Sequence, residues 1–178
     1  MLNFPLEVSE TVSFEQAIAL TQALLAEANK GKLSESEVAA SISNLVKTAN
    51  GARGFFVTYL TSDSSLADCP TPGILQALHS NSDQVADLLV KNLAMSTAQT
   101  IHHRQQNQAM AQGSEQVQRR TAQLISLLQL PEVSDRLQLL LNSATTGEGE
   151  YKAFLNRWGY DNAQKREICR LVMQVLPQ

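Results

Sequence analysis

The longest helical pattern in the chain runs from residue 83 to residue 112, and it changes character halfway. No glycine or proline interrupts this range, so nothing in the local sequence stops a helix there. In its first half, large apolar residues recur at helical spacing, which predicts packing against a core: Val85, Leu88, Leu89, Leu93 and Ile101. The run from His102 to Gln108 is polar on every side. The pattern predicts one long central helix over about 83–112, whose polar end faces solvent or a partner.

Cap residues and prolines predict where the other helices begin. Capping boxes, in which an N-cap side chain and the residue three positions later bond to each other's backbone, are expected at three starts: Ser13 with Gln16, Ser34 with Glu37, and Asp161 with Gln164. Pro72 and Pro131 suit the first position of a helix, where no backbone donor is needed. Gly113 and Ser114 are expected to break the long helix and to cap the next one.

Residues Phe55 to Leu60 are ambiguous between helix and strand. The run is aromatic and β-branched and follows Gly54, which is typical of a strand. However, no other segment offers a partner strand, and a lone strand leaves its backbone groups unpaired. Continuing the preceding helix through Ala52, Phe56 and Tyr59 keeps the apolar face in phase. We therefore expect a helix and keep the strand as the alternative.

These patterns predict an all-α fold, a bundle of about seven or eight helices. A length of 178 residues suits one domain with one core, and 43% hydrophobic residues with 17% charged residues is a globular composition. We expect a single helical domain over residues 1–178, with residues 1–12 as an extended N-terminal arm. Residues 114–178 could form a C-terminal helical subdomain.

Charge and cysteine content indicate which classes of partner and which cellular compartment to expect. The net charge is −3, and the densest basic pairs, Arg119-Arg120 and Lys165-Arg166, are typical of solvated helix faces, so nucleic acid is not an expected partner. Cys69 and Cys169 match no metal-binding or disulfide spacing, which favours reduced thiols in the cytoplasm. No apolar run is long enough to span a bilayer. We expect a soluble cytoplasmic protein with no membrane contact.

No motif predicts catalysis, a metal or a cofactor. His102 and His103 are adjacent, so on a helix they point about 100° apart and cannot chelate one ion without help. Cys69 precedes a predicted helix start, but catalytic use would need a histidine close by. The chain contains no phosphate-binding loop, no nucleophile elbow and no dinucleotide fingerprint. We therefore expect no catalytic residue, no metal and no cofactor, and favour a protein that is not an enzyme.

The leading hypothesis is a non-catalytic helical protein that acts by protein–protein contact. Its partner is another protein chain or a second copy of itself. The expected interaction surface lies at the polar end of the long helix and beyond it: Arg104, Gln105, Gln108, Gln112 and Arg119. Amides there can form hydrogen bonds between chains, although interfaces usually keep an apolar centre.

The alternative hypothesis is a small-molecule-binding protein or an enzyme, with its site between helices. Arg53 precedes the aromatic run, and a covering loop could place Arg53 and Tyr59 at the rim of an apolar pocket with a histidine, His102 or His103. For the same residues, a plain core is the favoured interpretation.

Overall fold

The computed structural model describes residues 3–176, which contain helices and connecting segments but no strand. Their helices are α1 (Phe14–Asn29), α2 (Glu35–Val46), α3 (Ala49–Thr61), α4 (Ser65–Asp68), α5 (Pro72–His79), α6 (Ser82–Arg104), α7 (Gln108–Leu128), α8 (Pro131–Thr146), α9 (Lys152–Arg157) and α10 (Asn162–Val175). The prediction of an all-α fold is therefore confirmed. Within the described residues, no helix is both long enough and apolar enough to cross a bilayer.

The chain forms two compact units, and the boundary between them falls within α6. The first unit comprises residues 3–88 of the described chain, and in it α1 packs along α3 while α2 contacts α3 and α5. The second unit comprises residues 89–176, and in it α10 packs on α8 and α7. The single domain over residues 1–178 and the subdomain over 114–178 stay predictions.

The predicted helix starts are confirmed where local chemistry determines them. Ser13, Ser34 and Asp161 each accept a hydrogen bond from the backbone three residues later, and the side chain at that later position bonds back. Pro72 and Pro131 occupy the first turns of α5 and α8. These starts depend on side chains that satisfy backbone donors within one turn, so the sequence alone is enough to place them.

Residues Phe55 to Leu60 lie in α3, so the strand alternative is wrong. The helix is separate from α2, because Thr48 begins it: the Thr48 hydroxyl accepts a hydrogen bond from the Gly51 amide at 3.0 Å. Phe55, Phe56, Tyr59 and Leu60 are all buried. The strand-like composition is thus explained by a helix that is covered on most sides, where bulky apolar residues are favoured.

The long helix predicted over 83–112 ends earlier than expected, so its predicted C-terminal end is wrong. α6 ends at Arg104, residues 105–107 make a turn, and α7 begins at Gln108. The Asn107 carboxamide oxygen accepts hydrogen bonds from the amides of Ala109 at 2.9 Å and Met110 at 3.3 Å, so Asn107 is the N-cap of α7. Gly113 and Ser114, the expected break and cap, lie inside α7.

Side chains on either side of this turn hold α7 antiparallel to the end of α6. The Gln118 amide donates to the Thr97 hydroxyl at 3.0 Å, and His103 contacts Ser114. These tertiary contacts act together with the Asn107 cap at the break, and a helix tolerates one interior glycine at a modest cost. The contacts join residues that are distant in the sequence, so the pattern of apolar residues does not reveal them.

The described part of the N-terminal arm, residues 3–12, contains no helix and is fixed to the first unit. Leu6 is buried, its amide donates to the Ser41 hydroxyl at 2.9 Å, and its carbonyl accepts from Asn44 at 2.8 Å. Asn50 donates to the Val12 carbonyl at 3.2 Å. Residues 1 and 2 of the predicted arm lie outside the described residues.

α1 and α3 approach each other closely at a glycine. A Cβ atom on Gly54 would lie 2.5 Å from the Ala17 Cβ and 2.9 Å from the Ile18 amide nitrogen, so only glycine fits this contact. One residue earlier, the Arg53 guanidinium lies 5.0 Å from the centroid of the Phe14 ring. The start of α1 therefore lies beside the second turn of α3, and Asn29 at the end of α1 bonds to Ser64 just beyond the end of α3, so the helices run parallel.

We expect Gly54→Ala to lower the free energy of unfolding by about 1–3 kcal/mol, because the added methyl meets the backbone of α1. Gly113→Ala is the matched control, since nothing lies within 4 Å of its added Cβ. There the gain in helix propensity should raise stability by roughly 0.5–1 kcal/mol. Urea unfolding followed by circular dichroism measures both. A stabilised Gly54→Ala variant would contradict the close contact.

Candidate functional site

A groove at the turn between α6 and α7 brings together part of the expected interaction surface. Arg104 from the end of α6 and Gln108 and Gln112 from the start of α7 line it, together with Ala111 and Glu115. Its volume is about 360 Å³. Successive turns of α7 place residues 108, 112 and 115 on one face, so the groove follows from the antiparallel arrangement of the two helices.

An exposed ion pair closes one side of the groove. Nε and Nη2 of Arg104 both donate to Glu115 Oε1, at 3.0 and 2.8 Å. The Arg104 side chain is 63% exposed and that of Glu115 is 42% exposed. A pair in such contact with water contributes only about 0–1 kcal/mol to stability. Its consequence is local: the groove carries one charge of each sign.

The two histidines have different surroundings in the second unit. His103 Nδ1 lies 2.9 Å from the hydroxyl of the buried Ser114. His102 is exposed, and its ring centroid is 5.8 Å from that of His103. Within residues 3–176, no group of three or more His, Cys, Asp and Glu side chains is arranged to hold a metal ion. The His103 contact links α6 to α7, which is a structural role.

Arg53 and Tyr59, the other residues of the expected ligand site, lie in the first unit. Tyr59 is fully buried, stacks on Phe55 with ring centroids 5.1 Å apart, and donates its hydroxyl to the Leu66 carbonyl. Arg53 is exposed over Phe14. For Tyr59 the contacts favour the plain-core alternative. A site that combines these two residues with the histidines stays a prediction.

The remaining surface residues extend the groove into a continuous exposed segment. Every residue from 104 to 110 is exposed, and this range includes Gln105. Met110 is its largest apolar member, with 52% of its surface exposed. Arg119 is also exposed, farther along α7. Gln108, Gln112 and Arg119 share one face of α7, whereas Met110, two residues from both glutamines, lies on the opposite face.

Sequence reasoning missed Glu115, Ser114 and Ala111 as members of this region. Glu115 and Ser114 contact residues eleven positions earlier, across a turn that the sequence pattern placed elsewhere. The signal that could have found the turn is Asn107, because asparagine is among the preferred N-cap residues. The fold of the groove therefore depends on one cap.

We expect Asn107→Ala to lower the free energy of unfolding by about 1 kcal/mol, because two amides of α7 lose their acceptor. Gln106→Ala, in the same turn and also exposed, should change stability by less than about 0.5 kcal/mol. Urea unfolding of the two variants measures the difference. Equal values for both would show that the cap does not position α7.

Comparison with known proteins identifies a family. The model of a family described as "Uncharacterised conserved protein UCP020893" matches residues 13–175. Neither a curated protein nor a solved structure matches the chain. The chain belongs to this family.

Proposed function

We propose that this member of the family is a non-catalytic interaction protein that self-associates through its amide surface. The amide surface is defined here as Arg104, Gln105, Gln108, Gln112 and Arg119. The observation that carries the proposal is the exposed, uninterrupted segment 104–110, which continues into the groove of α7.

The composition of this surface suits a protein interface better than plain solvent exposure. Protein interfaces combine an apolar centre with a polar rim that forms hydrogen bonds. The exposed amides of Gln105, Gln108 and Gln112 supply such a polar rim. Met110 is exposed on the opposite face of α7 from Gln108 and Gln112 and is not part of this surface.

Self-association is favoured over a different partner because the surface is self-complementary. A twofold dimer brings the same patch of two copies together, so the groups of the patch must be complementary to one another. A glutamine amide both donates and accepts hydrogen bonds, and two such amides can therefore pair with each other. The Arg104–Glu115 pair supplies both charges, so each can face the opposite charge of a second copy.

We place the protein in the cytoplasm. Cys69 and Cys169 are free thiols in the structure, which suits a reducing compartment. Nothing in the proposed association needs a cofactor.

The test is the oligomeric state of a variant with negative charges added to this surface. We expect the triple variant Gln105→Glu, Gln108→Glu, Gln112→Glu to raise the dimer dissociation constant at least tenfold, which corresponds to about 1.4 kcal/mol. The reason is that three new carboxylates on each copy would face three on the other. Sedimentation equilibrium and native mass spectrometry measure the constant.

The matched control adds the same charge elsewhere. Gln76, Gln138 and Gln174 are exposed glutamines on α5, α8 and α10, and their replacement by glutamate should leave the dissociation constant unchanged. A wild-type protein that stays monomeric at high concentration would overturn the proposal. So would a triple surface variant that dimerises like the wild type.

A further inference from the structure

We propose that the first unit carries a second site, which binds a small organic cation such as an alkylammonium ion. The site is the cavity at the C-terminal ends of α1 and α3. It is separate from the amide surface and does not depend on self-association.

The cavity is built from the last turns of two helices and the segment that follows α3. Gln22, Leu25 and Asn29 of α1 and Thr58 of α3 line it, and Asp63 lies just beyond the end of α3. Its volume is about 380 Å³, within the range of small-molecule sites. The Asn29 carboxamide oxygen accepts from the Ser64 hydroxyl at 2.8 Å, which ties the wall formed by α1 to that segment.

The electrostatic character of the cavity comes from two parallel helices. Each helix carries a partial negative charge at its C-terminus, and α1 and α3 run parallel, so both negative ends meet here. Antiparallel neighbours would cancel this field. The last turns of α1 and α3 contain no basic residue.

The basic residues just past α1 are engaged elsewhere. Lys30 and Lys32 both bind the Glu27 carboxylate, at 2.7 and 3.0 Å. The hydrogen bond from Lys30, followed by that from Lys32, holds the pKa of Glu27 below its usual value. These two ammonium groups are therefore paired with the Glu27 carboxylate, in the last turn of α1.

A carboxylate adds to the field of the two helices. Among the described residues that line the cavity, Asp63 is the one charged side chain, and it is exposed to solvent. A positively charged ligand would gain from Asp63 and from both helix ends, whereas an anion would be repelled by all three.

A buried hydroxyl in the wall also points to a ligand. Within the described residues, seven helical threonines donate their hydroxyl to the carbonyl four residues earlier: Thr21, Thr61, Thr97, Thr100, Thr121, Thr145 and Thr146. Thr58 is 8% exposed, and its Oγ1 is buried with no hydrogen-bond partner among residues 3–176. A buried polar atom without a partner destabilises a fold. Thr58 lines the cavity, so this hydroxyl without a partner belongs to the wall of the proposed site.

The lining favours an organic cation over a metal ion. Calcium and similar ions take six or more oxygen ligands, usually with several carboxylates, whereas the described lining holds one carboxylate. Leu25 and Ala26 supply an apolar wall that an alkyl chain can cover, while the amides of Gln22 and Asn29 can bond to polar ends. An ammonium group next to Asp63, carried on a short alkyl chain, uses all of these features.

The experiment compares three probes of equal chain length and different charge: putrescine, 1,4-butanediol and succinate. Each is titrated into the full-length protein, and the backbone amides are followed by NMR. We expect putrescine to bind with a Kd of about 1 mM or tighter and to shift the amides of residues 22–29 and 58–64. Neither butanediol nor succinate should do so. Putrescine shifts scattered over the acidic surface, or equal shifts with butanediol, would overturn the proposal.

Two variants and a control separate binding at this site from general charge attraction. Asp63→Asn should weaken putrescine binding about threefold to fivefold, the effect of losing one solvent-exposed ion pair. Asp135→Asn, which removes an exposed carboxylate from α8, should leave it unchanged. Thr58→Val should raise the melting temperature of the free protein, because the buried hydroxyl is removed, and should weaken putrescine binding. Equal affinity of the wild type and Asp63→Asn would overturn the site, even if Thr58→Val proved more stable.

Discussion

The turn at residues 105–107 is the constraint on which the second unit's surface depends. Asn107 favours two helices over one long helix, because its side chain accepts hydrogen bonds from the first free amides of α7. Once α7 runs back along α6, His103 meets Ser114 and Arg104 meets Glu115. The same turn leaves residues 104–110 exposed. One short, capped turn therefore creates both the groove and the surface beside it.

A comparable constraint operates in the first unit, where Gly54 allows α1 and α3 to touch. Two helices packed in parallel at such close range place their negative ends together. Antiparallel packing is the more favourable arrangement for helix dipoles, but α1 and α3 are parallel. Their C-terminal ends both lie at the cavity that Thr58 and Asp63 line. The parallel packing of α1 and α3 thus places the C-terminal ends of both helices at this cavity.

The sequence predicted the features that depend on a few neighbouring residues and missed those that depend on distant ones. The caps at Ser13, Ser34 and Asp161 act within one turn, and their prediction is confirmed. The bound of α6 was wrong because the contacts that fix it join residues eleven positions apart. Three members of the expected surface line one groove, whereas the buried, stacked Tyr59 favours a core role. The unpaired hydroxyl of Thr58 could not be predicted, since sequence does not specify a side-chain rotamer.

Self-association through the amide surface is the central functional claim, and hydrogen exchange tests it most directly. Amide exchange rates would be measured along the whole chain at two protein concentrations, one below and one above the dimer dissociation constant. We predict that the amides of residues 104–112 exchange more slowly at the higher concentration, while those of α1 and α3 keep their rates. Exchange rates in residues 104–112 that do not depend on protein concentration would contradict the claim, whether or not another surface is slowed.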